Sequence, residues 1–536
     1  MRARSNEVDI ERDVKVTASD GTVLLTDVYH PVGVEDAPVI LERTPYGRRA
    51  VSAFMAPELA ARGYRYLVQA CRGTDGSGGG HSYFAEAGDG RDTVDWIAEQ
   101  AWFNGVLGTF GASYMGFTQW ALASTRPPYL KAMAVALSAS TRAFSWYPGG
   151  SFALEMTLTW DAGATQFNQP TDSHASTEVS PEAIEKRMAA LRAGFDHLPL
   201  TDALRTVTGA DLPLWQEQLA HADLHDPHWA PLDYSPLLAD WTVPTLLVDG
   251  WHDYPLPCVV QDYAALRHSG APVQLRIGAG GHLGGGGEGG MTDAPLAWFD
   301  TWLRGEEGLL EPRPVSVHIQ GEGGSWRHLD DWPPASVPTR WYLHAGGGLS
   351  VQPPVEASEP DRYRYDPADP TPSVGGIGML TGGPVDNREL EGRPDVLVYT
   401  SAPLTEPILV LGPVSAELCA ESSVDHTDFF VRLCDVWPDG RSVNVCDGLQ
   451  RFGPGAIRRT ADGTFRVEVG MWPAGHRFAA GHRIRVQVSS GSHPVYARNL
   501  GSGEPVATGT TLRPADQAVH HAPGRLSSVS LPHHPD

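Results

Sequence analysis

The feature that most constrains the fold is a change of hydrophobic pattern near residue 311. Before that point, short apolar runs such as APVILERTPY and YRYLVQACRG alternate with helix-like stretches such as DGRDTVDWIAEQAW. Beyond it, short alternating runs such as DFFVRLCDV and RIRVQVSSG follow one another with almost no helical period. The first pattern predicts a parallel α/β sheet, and the second predicts an all-β sandwich or jelly roll.

The length of the chain also indicates more than one domain. Single hydrophobic cores stop growing at roughly 250–300 residues, and this chain has 536. We expect the α/β domain to comprise residues 1–139 and 234–310, and the sandwich to comprise residues 311–536. Stretches such as SPEAIEKRMAALRAGF have a helical period, which predicts a helical cap inserted at residues 140–233.

Composition excludes several classes of protein. A formal net charge of −24 disfavours sequence-independent binding to nucleic acid, which depends on Lys and Arg. The five cysteines are scattered without a C-x-x-C pair, which argues against a disulfide scaffold or a zinc site. No apolar run approaches the ~18–20 residues of a membrane span, and none follows the basic N-terminus as a signal peptide would require. We therefore expect a soluble cytoplasmic protein with no metal or cofactor, and we leave monomer and homodimer open.

One short stretch, GTFGASYMGF, almost spells the G-x-S-x-G signature of a serine nucleophile. Gly111, Ser113 and Gly116 are present, but the second glycine of the signature would fall at Met115. An apolar strand pattern precedes Ser113 and a helical pattern follows it, as on the sharp strand-to-helix turn of α/β hydrolases. The alternative is that Ser113 only caps the helix, a common role of serine.

Partners for this serine follow in the order acid, then histidine, that α/β hydrolases use. The segment TLLVDGWHD offers Asp249 and Asp253 just past an apolar run, and GAGGHLGG offers His282 after the next run. His252 precedes that second run, and Asp253 cannot readily fold back onto it. The alternative for His282 is an incidental position in a flexible glycine-rich linker.

Several longer segments carry a resemblance to a known family. CRGTDGSGG, DTVDWIAEQAWFNGVLGTFGASYMGFTQW, VDGWHD and GAGGH, together with RYDPADPTPSVGG and FAAGHRIRVQVSSGSHPVYARN, resemble the cocaine esterase family of α/β hydrolases. Its relatives are the X-prolyl dipeptidyl-peptidases and the α-amino acid ester hydrolases. The resemblance covers nearly the whole chain, and in that family the turn reads G-x-S-Y-x-G, so Met115 is no defect.

The resemblance implies a role for each candidate residue. Ser113 would be the nucleophile, His282 the base and Asp253 the acid, because the family's acid stands in a W-x-D setting. The backbone N–H of Tyr114 and the phenol of Tyr46 would form the oxyanion hole. From the residues alone, a core aromatic is the alternative for Tyr46.

Aromatic residues of the insertion and beside the acid are candidates for the substrate pocket. These are Trp146, Trp160, Trp251 and Tyr254, and plain core packing is the alternative for each. We interpret Arg72, Asp75 and Ser77 as a structural turn near the nucleophile.

Together these observations predict a serine hydrolase that cleaves carboxylic esters or amides through an acyl-enzyme, with a small ester, amide or short peptide as substrate. An X-Pro dipeptidyl aminopeptidase or an α-amino acid ester hydrolase would need cap carboxylates for an α-amino group, for which Glu155, Asp161, Asp172 and Glu178 are available. An acyltransferase of a biosynthetic pathway could use the same triad. A non-catalytic binding protein is disfavoured, since every expected catalytic position is filled. We expect activity to rise with pH through a pKa of ~6.5 if the histidine is unperturbed.

Overall fold

The computed structural model describes residues 3–49, 55–142, 146–166, 180–224, 226–284, 286–287, 289–380 and 382–535. Within these ranges, no helix combines the length and the apolar character that crossing a membrane would require. Ten strands form the first sheet. They are β1 (Val8–Thr17), β2 (Val23–Pro31), β3 (Val39–Thr44), β4 (Arg65–Ala70), β5 (Leu107–Ala112), β6 (Leu130–Ala136), β7 (Thr245–His252), β8 (Val273–Gly281), β9 (Val315–Gly321) and β10 (Ser325–Leu329).

The described helices lie on the faces of this sheet, in an insertion after β6, and at one place among the later strands. They are α1 (Met55–Ala61), α2 (Glu86–Ala98), α3 (Tyr114–Ser124), α4 (Leu154–Ala164), α5 (Pro181–Phe195), α6 (Ala203–Thr208), α7 (Pro213–Ala220), α8 (Leu256–Ser269), α9 (Asp293–Arg304) and α10 (Arg388–Glu391). Short 3₁₀ turns occur between several of them.

The first sheet is antiparallel at its ends and parallel in its centre. The strand order is β1-β2-β4-β3-β5-β6-β7-β8-β9-β10, and the pairs from β4 through to β9 are parallel. The β1–β2 hairpin turns at Asp20-Gly21, a dipeptide that is typical of tight hairpin turns. Ile40 packs with α1 and α9 on one face, while Val39 and Leu41 pack with α2 and α3 on the other. Both faces are therefore covered, which is why the central strands read as unbroken apolar runs.

The change from one sheet to the next comes later than the hydrophobic pattern indicated. We assigned the run PVSVHIQG to the sandwich, but β9 pairs in parallel with β8, and β10 pairs with β9 at the edge of the first sheet. A strand that is apolar on one face alternates in the same way in either sheet, so the pattern of β9 does not reveal which sheet it joins. We call residues 3–329 the N-terminal region and residues 330–535 the C-terminal region.

The insertion between β6 and β7 is helical, as the period of SPEAIEKRMAALRAGF predicted. It carries α4 to α7. Helix α4 is buried along nearly its whole length, while α5 exposes most of one face. Ser180 caps α5 by accepting a hydrogen bond from the Ala183 N–H at 3.2 Å.

The C-terminal region is a β-sandwich. Its strands are β11 (Val337–His344), β12 (Gly348–Ser350), β13 (Asp361–Tyr365), β14 (Leu397–Thr400), β15 (Ile408–Gly412), β16 (Ser415–Ser422), β17 (Thr427–Val436), β18 (Ser442–Phe452), β19 (Phe465–Gly470), β20 (Ala474–Phe478), β21 (Arg483–Ser489), β22 (Ala515–His520) and β23 (Ser528–His534). Most pairs are antiparallel, with β17 between β18 and β21, and β16 between β19 and β22. Alternate residues of β19 are buried, as one face of a sandwich requires. A short parallel pairing of β20 with β9 joins the two regions.

Candidate active site

Ser113 lies on a strained turn between β5 and α3. Its backbone has φ 57° and ψ −122°, a conformation that few residues other than glycine adopt. Such strain persists only where the surrounding structure imposes it, and it is typical of functional positions. A Cβ at Gly111 would collide with the Met115 side chain, and a Cβ at Gly116 would collide with Ser138. The turn therefore needs glycine at these two positions, and it accommodates Met115.

The side chain of Ser113 does not cap helix α3, which was the alternative interpretation. Its Oγ lies 2.9 Å from Nε2 of His282 instead. The two residues are 169 positions apart in the sequence and meet at the carboxyl end of the parallel strands. His282 directly follows β8, which brings it to the edge of the sheet where Ser113 lies.

Asp253, and not Asp249, faces the histidine. Its Oδ1 and Oδ2 lie 2.9 Å and 3.1 Å from Nδ1 of His282. The Tyr254 N–H donates to Asp253 Oδ1 at 2.8 Å, which fixes the carboxylate. Asp249 is also fully buried, but its Oδ1 accepts from the Gly250 N–H at 2.7 Å. His252 points elsewhere, with its Nε2 3.0 Å from the Gln320 amide nitrogen.

Burial governs the ionisation of these groups. It lowers the pKa of His282 to about 4, because a buried imidazole resists protonation. Burial raises the pKa of Asp253 to about 7. Hydrogen bonds from Asp249 and from the Tyr254 N–H favour the carboxylate and so act in the opposite direction. Burial and the neighbouring Asp253 also raise the pKa of Asp249 well above its usual range. Neutral His282 is the form that can accept a proton from a hydroxyl.

The two predicted oxyanion-hole groups lie beside Ser113. The Tyr46 hydroxyl is 3.5 Å from Ser113 Oγ and accepts a hydrogen bond from the Trp160 indole N–H at 3.2 Å. Since an indole N–H only donates, the Tyr46 hydroxyl can direct its own hydrogen toward another acceptor. Tyr114 is the first residue of α3, so its backbone N–H has no partner within the helix. Its ring is buried, and its hydroxyl donates to Glu86 at 2.8 Å.

The four aromatic candidates for the pocket separate into two groups. Trp160 touches Tyr46, and the Tyr254 hydroxyl lies 3.3 Å from Nε2 of His282. Tyr254 also lines the small cavity that contains Ser113. Trp146 lies farther back, among buried rings, and is 1% exposed.

Trp251 is turned away from the cavity, which differs from our expectation. Its indole N–H donates to the His318 carbonyl at 2.6 Å, and its ring packs against Trp332 and Gly475. Strand β7 ends at His252, between Trp251 and Asp253, so the direction of one side chain does not fix that of the other. Trp251 belongs to the packing between the N-terminal and C-terminal regions.

Of the four cap carboxylates, two can be placed. Glu155 accepts from the backbone N–H groups of Met379 and Leu380, at 3.0 Å and 3.2 Å. Asp161 is fully buried, and burial raises its pKa to about 8, although the neighbouring Gln218 and Arg142 favour the carboxylate. Asp172 and Glu178 lie outside the described residues.

The segment with Arg72, Asp75 and Ser77 is a buried hydrogen-bonded turn, as we interpreted it. Arg72 binds both oxygens of Asp89, at 3.0 Å and 2.5 Å. Asp75 accepts from the Arg48 backbone at 2.8 Å. Ser77 donates to the Ala70 carbonyl at 3.0 Å, which ties the turn to β4.

Two residues near the site escaped the sequence reasoning. Arg142 lines the cavity with Ser113, and Trp472 of the C-terminal region donates from its indole to the Asp253 carbonyl at 2.9 Å. No motif surrounds either residue. The Trp472 contact joins residues 219 positions apart, which only the folded chain reveals.

Comparisons with known proteins identify the family of this chain. Residues 20–284 match the model of the X-Pro dipeptidyl-peptidase (S15 family), and residues 310–530 match that of the X-Pro dipeptidyl-peptidase C-terminal non-catalytic domain. A cocaine esterase from Rhodococcus sp. (strain MB1 Bresler) is 31% identical over 98% of each chain. A solved α-amino acid ester hydrolase is 25% identical with a TM-score of 0.84, covering 100% of this chain and 98% of the other.

An aminopeptidase structure from a marine sediment archaeon, Thaumarchaeota archaeon, is also similar. It is 25% identical with a TM-score of 0.83, covering 99% of this chain and 97% of the other. All these relatives extend across both regions of the chain. The chain therefore belongs to the cocaine esterase and X-Pro dipeptidyl-peptidase (S15) family, and it is a serine hydrolase.

Proposed function

We propose that this protein hydrolyses carboxylic esters of small molecules through a covalent acyl-enzyme on Ser113. The observation that carries the proposal is the continuous hydrogen-bonded path from Ser113 Oγ through His282 to Asp253. A hydroxyl becomes a useful nucleophile when an oriented base is within hydrogen-bond reach. The 2.9 Å separations meet that requirement at both steps.

Each residue has a distinct role in the proposed reaction. Ser113 Oγ attacks the ester carbonyl carbon while Nε2 of His282 takes its proton. Asp253 accepts the Nδ1 hydrogen, holds the tautomer and stabilises the imidazolium. His282 then gives its proton to the leaving alkoxide, and the alcohol departs.

Water completes the cycle by the same route. His282 deprotonates a water molecule, the resulting nucleophile attacks the acyl-enzyme, and the acid and free Ser113 are released. In both halves the carbonyl oxygen becomes negative. The Tyr46 hydroxyl and the Tyr114 N–H would donate to it, and each such donor is worth about 3–4 kcal/mol of transition-state stabilisation.

The position of Glu155 favours an esterase over an aminopeptidase. Recognition of an α-amino group needs a carboxylate with oxygens available to an ammonium. Each Glu155 oxygen accepts one backbone N–H of the C-terminal region, so part of the carboxylate's hydrogen-bonding capacity is already used. Asp161 is buried with its pKa raised to about 8, so at neutral pH most of it is uncharged.

A fluorophosphonate probe, followed by turnover assays, tests this function. We expect the probe to label the wild type but not Ser113→Ala, and p-nitrophenyl acyl esters to turn over faster than aminoacyl-Pro-anilides. Ser124→Ala is the matched control, because Ser124 ends the helix that follows Ser113 but is exposed and donates to the Ala121 carbonyl. Labelling that persists in Ser113→Ala would refute the nucleophile. Turnover of the anilide alone would favour the peptidase.

A further inference from the structure

Arg142 lies on the wall of the same small cavity as Ser113 and Tyr254. It follows β6 in the chain, at the point where the sheet passes into the helical insertion. The cavity has a volume of about 10 Å³, which is roughly the room that one water molecule needs. The cationic side chain of Arg142 therefore lines the same cavity as Ser113, whose oxygen is proposed to attack the substrate.

The rings of the site hold this guanidinium in place. Its carbon lies 4.5 Å from the centre of the Tyr83 ring, 5.3 Å from Trp146 and 5.7 Å from Phe117. One terminal nitrogen donates to the Tyr83 hydroxyl at 2.7 Å. Cation–π contacts of this kind stabilise the guanidinium in this position, but they do not neutralise its charge.

The hydrogen-bonding capacity of Arg142 is incompletely used. Its Nε is buried and has no hydrogen-bond partner among the described residues. No carboxylate among the described residues forms an ion pair with Arg142. Asp161 is near enough to interact with it electrostatically, but burial raises the pKa of that carboxyl to about 8. An arginine has five N–H donors and stays charged at all functional pH values.

We propose that Arg142 binds a carboxylate at the far end of the substrate's acyl group, so that the enzyme prefers half-esters of short dicarboxylic acids. This inference rests on the proposed ester hydrolysis at Ser113. A planar guanidinium forms paired hydrogen bonds with a carboxylate, and they are among the strongest in proteins. The cavity is smaller than any acyl group, so a substrate must widen it, and a short chain requires the least widening. The aromatic walls would contact its methylene groups.

The direct test compares an anionic ester with its neutral isostere. Monoethyl succinate and ethyl succinamate differ only in a terminal carboxylate or amide, and monoethyl malonate and ethyl malonamate give the shorter pair. We expect wild-type kcat/KM to be higher for each half-ester than for its amide. Arg142→Gln should lower the ratio of kcat/KM for the half-ester to kcat/KM for its amide by about ten- to a hundredfold. This is the factor that losing hydrogen bonds to a charged group typically causes.

A ratio separates recognition from a structural defect, because a loss of folded or active enzyme lowers both rates equally. Arg142→Lys keeps the charge but loses the paired geometry, and we expect it to retain an intermediate preference. Arg192→Gln is the matched control, since Arg192 lies in the insertion but is exposed and paired with Glu185. Its ratio should equal that of the wild type.

A second measurement uses only the wild-type protein and does not depend on whether a variant folds. Succinate should inhibit p-nitrophenyl acetate hydrolysis at a lower concentration than succinamide does. Equal inhibition, a preference for the neutral esters, or an unchanged ratio in Arg142→Gln would overturn the role of Arg142. Ester turnover that survives Ser113→Ala would instead refute the proposed function, so the two failures are distinguishable.

Discussion

The N-terminal and C-terminal regions contribute to the candidate site in different ways. The N-terminal region supplies the side chains proposed to react, with Ser113, His282 and Asp253 on loops at one edge of its sheet. The C-terminal region supplies a contact to the backbone of this site, from the Trp472 indole to the Asp253 carbonyl. It also packs Gly475 against Trp251. We infer that the first region carries the proposed chemistry and that the second positions one of its loops.

The largest expected effect tests whether the chemistry lies wholly in the N-terminal region. His282→Ala should lower kcat by about 10⁴- to 10⁶-fold, because the base and the proton donor are lost together. Steady-state assays on a p-nitrophenyl ester, with circular dichroism as the check on folding, measure it. A loss below about tenfold would mean that another group serves as the base.

Two equally buried carboxylates can be compared directly, Asp249 within β7 and Asp253 just after it. Asp253→Asn should lower kcat by about 10⁴-fold, since the amide favours the wrong imidazole tautomer. Asp249→Asn is the matched control and should cost far less, because its Oδ1 accepts from the Gly250 N–H instead. Parallel kinetics on the two variants decide the assignment. Equal losses would remove the distinction between the two residues.

Tyr46→Phe removes one proposed oxyanion donor. We expect kcat to fall by about 10²- to 10³-fold with little change in KM, because the donor acts on charge that develops only in the transition state. The ring and its place beside Trp160 are retained. An increase in KM alone, at constant kcat, would show that Tyr46 only packs against the substrate.

Trp472→Phe tests the contribution of the C-terminal region. It removes one hydrogen bond to the Asp253 carbonyl and keeps an aromatic ring, so we expect about a three- to tenfold loss of kcat. Trp437→Phe is the control, a C-terminal tryptophan that stacks on Arg441 and His482. A loss comparable to that of Asp253→Asn would mean that the second region does more than position the loop.

The smallest expected effect is a displacement of the pH profile. Burial lowers the pKa of His282 to about 4, so the neutral base persists to lower pH than a histidine of pKa ~6.5 would allow. We expect the acid limb of kcat/KM to lie below pH 6.5. Rates measured between pH 4 and pH 8 locate it. A limb near pH 7 would instead report Asp253, whose pKa burial raises to about 7.

Much of the N-terminal region could be predicted from local pattern. The order of serine, acid and histidine, each after an apolar run, indicated that Ser113 and His282 would meet at one sheet edge, because parallel strands end together. The choice between Asp249 and Asp253 came from the family resemblance. The structure places Asp253 against His282.

The remainder could not be predicted because it depends on contacts across the fold. Trp251 lies two positions before Asp253 in sequence, yet it faces His318 and Gly475. Arg142 has no motif around it and reaches the cavity only through the path of the chain after β6. Strand β9 has the alternating apolar pattern of a sandwich strand, but it pairs with β8 in the first sheet.

The central claim is that Ser113 carries the acyl group during turnover. Acid quenching of the enzyme during p-nitrophenyl acetate hydrolysis, followed by peptide mapping with mass spectrometry, tests it directly. We predict an acetyl group on Ser113 in the wild type and on no peptide of Ser113→Ala. An acetylated residue elsewhere that forms and decays at the rate of turnover would contradict the account.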